Sequence, residues 1–461
     1  LLITGLVVKR SSDIFSLMTI SIFLLAGVVT ILHWPERPIE LFNGMMRVDD
    51  FSSYFKLLFL LGGILTALMT FHESEKFRSE YFVLLTTLVA GCHMLVMSMN
   101  FVNLLISLEL ISISSYLLVG FGFTKQGSEG SLKYFLFGST ATAVMIYGMS
   151  LLYGLSGTLD FSSNAFVEKL IETPSPLFFI GGCMVLAGFM FKISAAPFHL
   201  WAPDVYQSAP ISVVAFLSVV PKLAGVGALV KFILAINLFG QSIFDWQVVI
   251  AIVAILSITV GNFSALWQND TRRLMAYSSI AQSGFLLIAV TAFTNEGLHF
   301  LLFYASVFLV MNFLVFIVLQ QFETGFGTNS IPSLAGLGKK ALVPSIVLLI
   351  GLISLTGLPP TGGFTAKLFI FTSLWDSYAQ SGKTIVLLLF LIGLANTVVA
   401  LFFYLKIPYY LFIKSENSDS AALKTPPLQL VLQFLLAALI LALFFMPGLL
   451  MGWINRINFV L

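Results

Sequence analysis

Charge is what this chain has least of. Of its 461 residues only 10% are Asp, Glu, Lys or Arg, while 58% are hydrophobic, and the mean hydropathy is +1.00. A soluble domain carries about 25% charged residues, so no water-facing surface can be built from this composition and a membrane protein is expected. Cysteine is as scarce. Cys92 and Cys183 are the only two, both inside apolar runs, and they make no disulfide framework, CxxC motif, zinc site or iron–sulfur ligand set. Neither a metal nor a redox cofactor is therefore expected in this chain. The net charge of +2 is too small for a nucleic-acid footprint. Long polar blocks are missing too, which leaves no extramembrane domain and puts the chemistry inside the bilayer.

What fills the chain is apolar sequence in runs of about 20 residues, the length of a spanning helix and not the roughly 9–11 residues of an alternating barrel strand. These runs lie at 14–33, 50–72, 80–98, 101–122, 128–155, 176–198, 208–236, 246–267, 273–293, 298–320, 341–375, 384–413 and 428–453. The opening LLITGLVV reads as the end of a preceding span and not as a signal peptide. The fold class is all-α, polytopic, with about fourteen transmembrane helices. Assigning the linkers alternately to the two sides puts twelve Lys and Arg on one face, among them Lys9, Arg10, Lys76, Arg78, Arg272, Arg273 and Lys424. Five fall on the other: Arg37, Arg47, Lys169, Lys383 and Arg456. That bias marks the first face as cytoplasmic or matrix, and the ordinary loops favour the inner membrane of a bacterium over that of an organelle.

Six of the 23 basic residues fall within spans: Lys56, Lys133, Lys192, Lys222, Lys231 and Lys367. Lys56 and Lys231 lie near span ends and are expected to snorkel to water. Glu109, in LLISLELISISSYLL, is the one carboxylate deep in an apolar stretch. A charge at the centre of a spanning helix costs about 2.5–3.5 kcal/mol on insertion scales. Fixed ion pairs would be the bland explanation, but several lysines cannot all pair with one glutamate. Burial lowers the proton affinity of a lysine and a nearby carboxylate raises it again, so a switchable Glu–Lys pair can gate a proton.

Two of these lysines stand beside helix breakers. Lys192 precedes Pro197 in FKISAAPFHLWAPD, and Lys367 follows Pro359, Pro360, Gly362 and Gly363 in LTGLPPTGGFTAK. A broken span exposes backbone groups that need water or ions, so each break is expected to line a hydrated cavity, as in internally repeated secondary transporters. Laying Pro197 on Pro359 puts Lys192 opposite Ser354 and Lys367 opposite Val205, so the two lysines are expected on different sides of their breaks. Lone prolines such as Pro221 and Pro344 are read as simple kinks. The histidines are scattered: His33 and His72 end spans, His93 lies within one, His199 follows Pro197 and His299 opens another. That scatter does not suit a di-haem cytochrome. His199 and His299 suit either a relay or a purely structural role. Moving a proton against 100 mV costs about 2.3 kcal/mol, and with no P-loop in sight that energy must come from a partner.

The segments HLWAPDVYQSAP at 199–210, RRLMAYSSIAQSGF at 272–285 and LTGLPPTGGFTAKL at 355–368, with the Glu109 span, resemble the antiporter-like membrane subunits of respiratory complex I, the proton-translocating NADH:quinone oxidoreductase, and most closely the N subunits. The resemblance implies two inverted-topology five-helix repeats, each with one discontinuous helix. They would occupy 80–237, with its break near Pro197, and 238–415, with its break near Pro360, between N-terminal helices at 1–79 and a C-terminal helix at 416–461. It implies a proton relay in which Glu109 on the fifth helix pairs with Lys192 on the broken seventh, Lys222 on the eighth is the central relay, Lys367 on the broken twelfth is the exit-side group, and Lys133 is an additional lysine on the sixth. It also implies neighbours in the lipid bilayer, namely an antiporter-like subunit M and small membrane subunits, with NADH, FMN, iron–sulfur clusters and quinone held by partner subunits. Where the family often has YSSI-x-H this chain has Gln282, so no histidine relay is expected there. Three other readings stay open at this point: a subunit of an Mrp-type cation/proton antiporter, a scaffold whose buried charges only fix helix packing, and an independent quinone-reducing enzyme, which lacks a visible electron entry site.

Overall fold

The computed structural model describes every residue except 2–11, 72–78, 173–175, 238–243, 415–422, 424–425 and 460–461. The expected first span, His72, and the basic residues Lys9, Arg10, Lys76, Arg78 and Lys424 lie outside the described residues. Among the described residues the chain is all-α apart from a small hairpin, β1 (Ile39–Leu41) and β2 (Met46–Val48). The hairpin turns through Phe42, Asn43 and Gly44, all at positive φ.

The helices are α1 (Ser12–Leu32), α2 (Asp50–Met69), α3 (Ser79–Met97), α4 (Phe101–Val119), α5 (Lys125–Ser156), α6 (Asn164–Glu172), α7 (Pro176–Lys192), α8 (Ala202–Ser208) and α9 (Ile211–Asn237). There follow α10 (Trp246–Leu266), α11 (Thr271–Thr291), α12 (Asn295–Phe326), α13 (Leu342–Thr356), α14 (Gly362–Ser381), α15 (Thr384–Phe412), α16 (Pro427–Phe445) and α17 (Gly448–Ile454). Eleven of them are continuous and apolar enough to cross a membrane. The pairs α7–α8 and α13–α14 are the discontinuous spans anticipated from their prolines. The run expected as one span at 428–453 is divided, because Pro447 cannot continue α16 and a short α17 starts after it.

An internal repeat shows in how the helices begin and end. Thr124 caps α5 by accepting from Gly127 N at 3.0 Å, and Thr294 caps α12 by accepting from Gly297 N at 3.0 Å. Both helices run 32 residues and stop at a left-handed glycine, Gly157 and Gly327, where a side chain would be strained. Phe123 and Phe293, at φ 49° and 51°, precede the two caps. Asn100 caps α4 and bridges Asp160, while Asp270 caps α11 and bridges Ser330. With α5, the α7–α8 pair, α9 and α10 between them, α4 and α11 run in opposite directions, so the repeat is inverted.

The two copies are not equally buried. The apolar stretches of α9 and α12 are 100% buried and that of α11 is 94% buried, against 33% for α5. These three form the spine of the molecule. Here α10 and α11 approach closely: a Cβ added at Gly261 would lie 2.5 Å from Ala281 N, the small-residue contact that lets membrane helices touch.

Candidate functional site

The first break begins where α7 ends, at Lys192 itself. The chain turns through Ser194 at φ 56°, with Ala195 N donating to Met190 O at 2.8 Å, and resumes as α8. A helix C-terminus carries unpaired carbonyls and a partial negative charge that favour a cation. Lys192 is 3% exposed and its Nζ donates to Ser112 Oγ on α4 at 3.1 Å. Glu109, one turn away on α4, accepts instead from Thr142 Oγ1 of α5 at 2.7 Å. The expected Glu109–Lys192 pair is therefore not in hydrogen-bond contact: Lys192 meets the α4 turn that carries Glu109 through the Ser112 hydroxyl, while the Glu109 carboxylate turns to Thr142 of α5. The reason is orientation: Glu109 is half-buried on the outer stripe of α4, between Ile106 and Ile113, which are 53% and 56% exposed.

Lys222 lies mid-way along α9, one residue after Pro221, which sits inside the helix without ending it. It is 1% exposed. Its Nζ donates to Ser279 Oγ at 2.6 Å and Ser279 O at 3.1 Å, and lies 3.4 Å from Ser283 Oγ. Ser283 Oγ in turn donates to Ile193 O at 2.5 Å, one residue past Lys192. Tyr206 of α8 reaches the same cluster, its hydroxyl 3.2 Å from Ser279 Oγ. Lys192 and Lys222 are thus linked through α11 hydroxyls and the open end of α7.

The second break has the same logic from the other side. Here α13 ends at Thr356, Gly357 takes φ 88° with its N–H bonded back to Ile353 and Ser354 carbonyls, and α14 starts at Gly362. Gly363 is required because a Cβ there would lie 1.8 Å from Ser354 O. Lys367, on α14 and 4% exposed, reaches back to donate to Thr356 O at 2.8 Å and stands over the Phe285 ring at 4.1 Å. The lysines come from different sides of their breaks, yet each stands at a half-helix C-terminus, Lys192 as the last residue of the incoming half-helix and Lys367, from the outgoing one, through its bond to the Thr356 carbonyl. Lys367 also lines a cavity of about 360 Å³ walled by Phe364, Phe371, Trp375 and Leu394. Gln282 on α11 donates to Leu355 O at 3.0 Å, lies 3.3 Å from the Tyr404 hydroxyl, and accepts from the Tyr304 hydroxyl.

Other candidate residues lie elsewhere. Lys133 has a 41% exposed side chain and pairs with Glu129 and Asp204, each at 2.9 Å, in a surface pocket of about 170 Å³; Arg273 also holds Asp204, at 3.0 Å. Lys231 does not snorkel. Its Nζ is 2.8 Å from Asp49 Oδ2, with both side chains 5% exposed or less, because Asp49 caps α2 in a capping box and is carried inward with it. Glu109 is therefore not the only carboxylate drawn inside the bundle. Lys56, on α2, is half-buried. His299 Nε2 meets Ile457 O at 3.1 Å, and His199 is 9% exposed with Nδ1 unpartnered among the described residues. Among the described residues no group of three or more His, Cys, Asp or Glu could hold a metal ion. Sequence reasoning missed the hydroxyls that carry these contacts: Ser112, Thr142, Tyr206, Ser279, Ser283, Tyr304 and Tyr404. Their signal was the density of serines in apolar runs such as SISSYLL and YSSIAQSGF.

A family model for the transmembrane part of NADH:quinone oxidoreductase and Mrp antiporters matches residues 98–395. NADH-quinone oxidoreductase subunit N 2 of Chloroherpeton thalassium is 36% identical over 410 residues, covering 86% of this chain and 79% of that protein. Subunit N of Chlorobium chlorochromatii is 34% identical over 467 residues, covering 97% and 90%. A chain of respiratory complex I from Thermus thermophilus superposes with a TM-score of 0.81 at 29% identity, over 98% of this chain and 95% of that one. A chain of the Mrp complex from a Dietzia species shares the fold, with a TM-score of 0.81 at 19% identity over 98% and 94%. The chain belongs to the NADH:quinone oxidoreductase/Mrp antiporter transmembrane family, among the N subunits, the antiporter-like membrane subunits of complex I.

Proposed function

We propose that this subunit carries protons across the membrane through a series made of the half-buried Glu109 and the buried Lys192, Lys222 and Lys367. The observation that carries the reading is that three lysines, each 4% exposed or less, are bonded to hydroxyls and backbone carbonyls and not to carboxylates. A permanently charged ammonium in such a place is expensive, and removing the charge by releasing a proton relieves the cost. The acceptors present, serine hydroxyls and carbonyls, hold an ammonium or a neutral amine, which suits a group that alternates between the two.

In the cycle we infer, a change at the half-exposed face of Glu109 alters the potential at Lys192 through the shared turn of α4. A proton then passes by water and side chains through Lys222 to Lys367 and out. Lys133, paired with Glu129 and Asp204 at the surface, is an additional lysine of the series. The driving energy comes from redox chemistry in other subunits, which hold NADH, FMN, iron–sulfur clusters and quinone. The neighbours are the antiporter-like subunit M and small membrane subunits, in a bacterial inner membrane. The test is proton pumping by the assembled complex in reconstituted vesicles. Lys222→Ala and Lys367→Ala should each abolish pumping with assembly intact, and unchanged pumping by both overturns the reading.

A further inference from the structure

Two adjacent side chains on α11 bind the two helix breaks. Ser283 Oγ donates to the Ile193 carbonyl at the end of α7, and Gln282 Nε2 donates to the Leu355 carbonyl near the end of α13. These are the ends at which Lys192 and Lys367 are seated: Lys192 directly precedes Ile193, and Thr356, the acceptor of Lys367, directly follows Leu355. Neighbouring positions on a helix point about 100° apart, so one short stretch of α11 faces one break with Ser283 and the other with Gln282.

Both contacts are backed. Gln282 is fixed in orientation by the Tyr304 hydroxyl donating to its carbonyl oxygen, and its amide also faces the Tyr404 hydroxyl, which contacts Ser278 a turn earlier on the same helix. Ser283 donates also to Ser279 O, the carbonyl that receives Lys222. Gln282 and Ser283 are both 1% exposed or less, and α11 packs tightly on α10 through Gly261 and Gly284. A buried helix with no slack transmits a displacement instead of absorbing it.

We propose that Gln282 and Ser283 are positioning residues that hold the two half-helix ends in register, so that the seats of Lys192 and Lys222 in one repeat and of Lys367 in the other move as one unit. Gln282, which cannot titrate, thus acts mechanically at the crossing between the repeats. The inference rests on the proton-relay reading for its purpose, and its test does not require pumping.

The experiment is hydrogen–deuterium exchange by mass spectrometry on the assembled complex, following the amides of 193–201 and of 355–362 in Ser283→Ala and Gln282→Leu. Tyr304→Phe, which removes one hydroxyl from Gln282, serves as a milder variant if Gln282→Leu fails to assemble. Loss of one buried hydrogen bond should raise exchange about fivefold. Each variant is expected to raise it at both breaks, including the one it does not touch, and Ser283→Thr, which keeps the hydroxyl, should restore protection at both. Loosening confined to the nearer break, or no change at either, overturns the proposal. Pumping by the Lys222 and Lys367 variants judges the relay separately.

Discussion

Asp49 and Lys231 lie 182 residues apart in the chain and 2.8 Å apart in the structure, with neither side chain more than 5% exposed. The pair joins the start of α2 to the last turns of α9, fastening the N-terminal helices to the central spine at a point where water cannot share the charge.

Asp49→Asn is expected to keep the helix cap, since the amide oxygen still accepts from Ser52 N, but to leave Lys231 buried without a counter-charge. Breaking a buried pair on one side costs about 3–5 kcal/mol. The thermal midpoint of the complex should fall accordingly, and the double variant Asp49→Asn/Lys231→Met should recover most of the loss. A double variant as unstable as the single would show that the pair holds no uncompensated charge.

Gly357→Ala places a Cβ 2.5 Å from Lys367 Cδ at a residue held at φ 88°. The left-handed conformation alone costs about 1–2 kcal/mol in an L-residue, and the contact pushes Lys367 off the Thr356 carbonyl. Pumping should fall together with stability. Gly154→Ala in α5, where a Cβ meets nothing within 4 Å, is the matched control and should be neutral or stabilising by about 0.5–1 kcal/mol.

Glu109→Gln keeps an acceptor for Thr142 while removing the charge, so assembly should be normal and pumping reduced. Ser112→Ala leaves the charge but removes the hydroxyl that holds Lys192. Its loss should cost about 1–3 kcal/mol of stability, as for an unsatisfied buried donor, as well as pumping. Full pumping in both would separate this turn of α4 from the transport path.

Arg272 donates through Nε and Nη2 to the Glu323 carboxylate of α12, and through Nη1 to the Ala209 carbonyl at 2.7 Å. Lysine is a point charge that cannot make the two-pronged contact. Arg272→Lys should therefore cost about 1–3 kcal/mol, read as a lower thermal midpoint, with the redox activity of the assembled complex retained.

Much of this was legible before any coordinates. The breaks at Pro197 and Pro360 could be read because proline and paired glycines interrupt helices by covalent geometry alone. Lys192, Lys222 and Lys367 could be singled out because charge in an apolar run is costly wherever it points. What could not be read was direction. Glu109 and Lys192 both lie deep in spans, but only the rotation of α4 shows that the carboxylate faces outward to Thr142 while Ser112 meets the ammonium. The burial of Lys231 is not legible because its partner Asp49 sits at a helix start, and a capping box does not announce that its helix end is buried. Serines carried little weight in the sequence because one hydroxyl in a helix usually bonds its own backbone. Ser279 and Ser283 take their meaning from the lysine and the carbonyl facing them.

The helices α5 and α12 have the same length, the same threonine start and the same glycine stop, yet one is wrapped in protein and the other shows Leu132, Leu136 and Tyr147 to its surroundings. Equal parts in unequal places have unequal freedom to vary. An apolar exchange on the outer face of α5 alters little, whereas the same exchange at the matching place in α12 must be accommodated on every side. The two repeats therefore tolerate exchange to different degrees while their ends stay alike, and the symmetry between them is clearest in the turns and not in the helices they join.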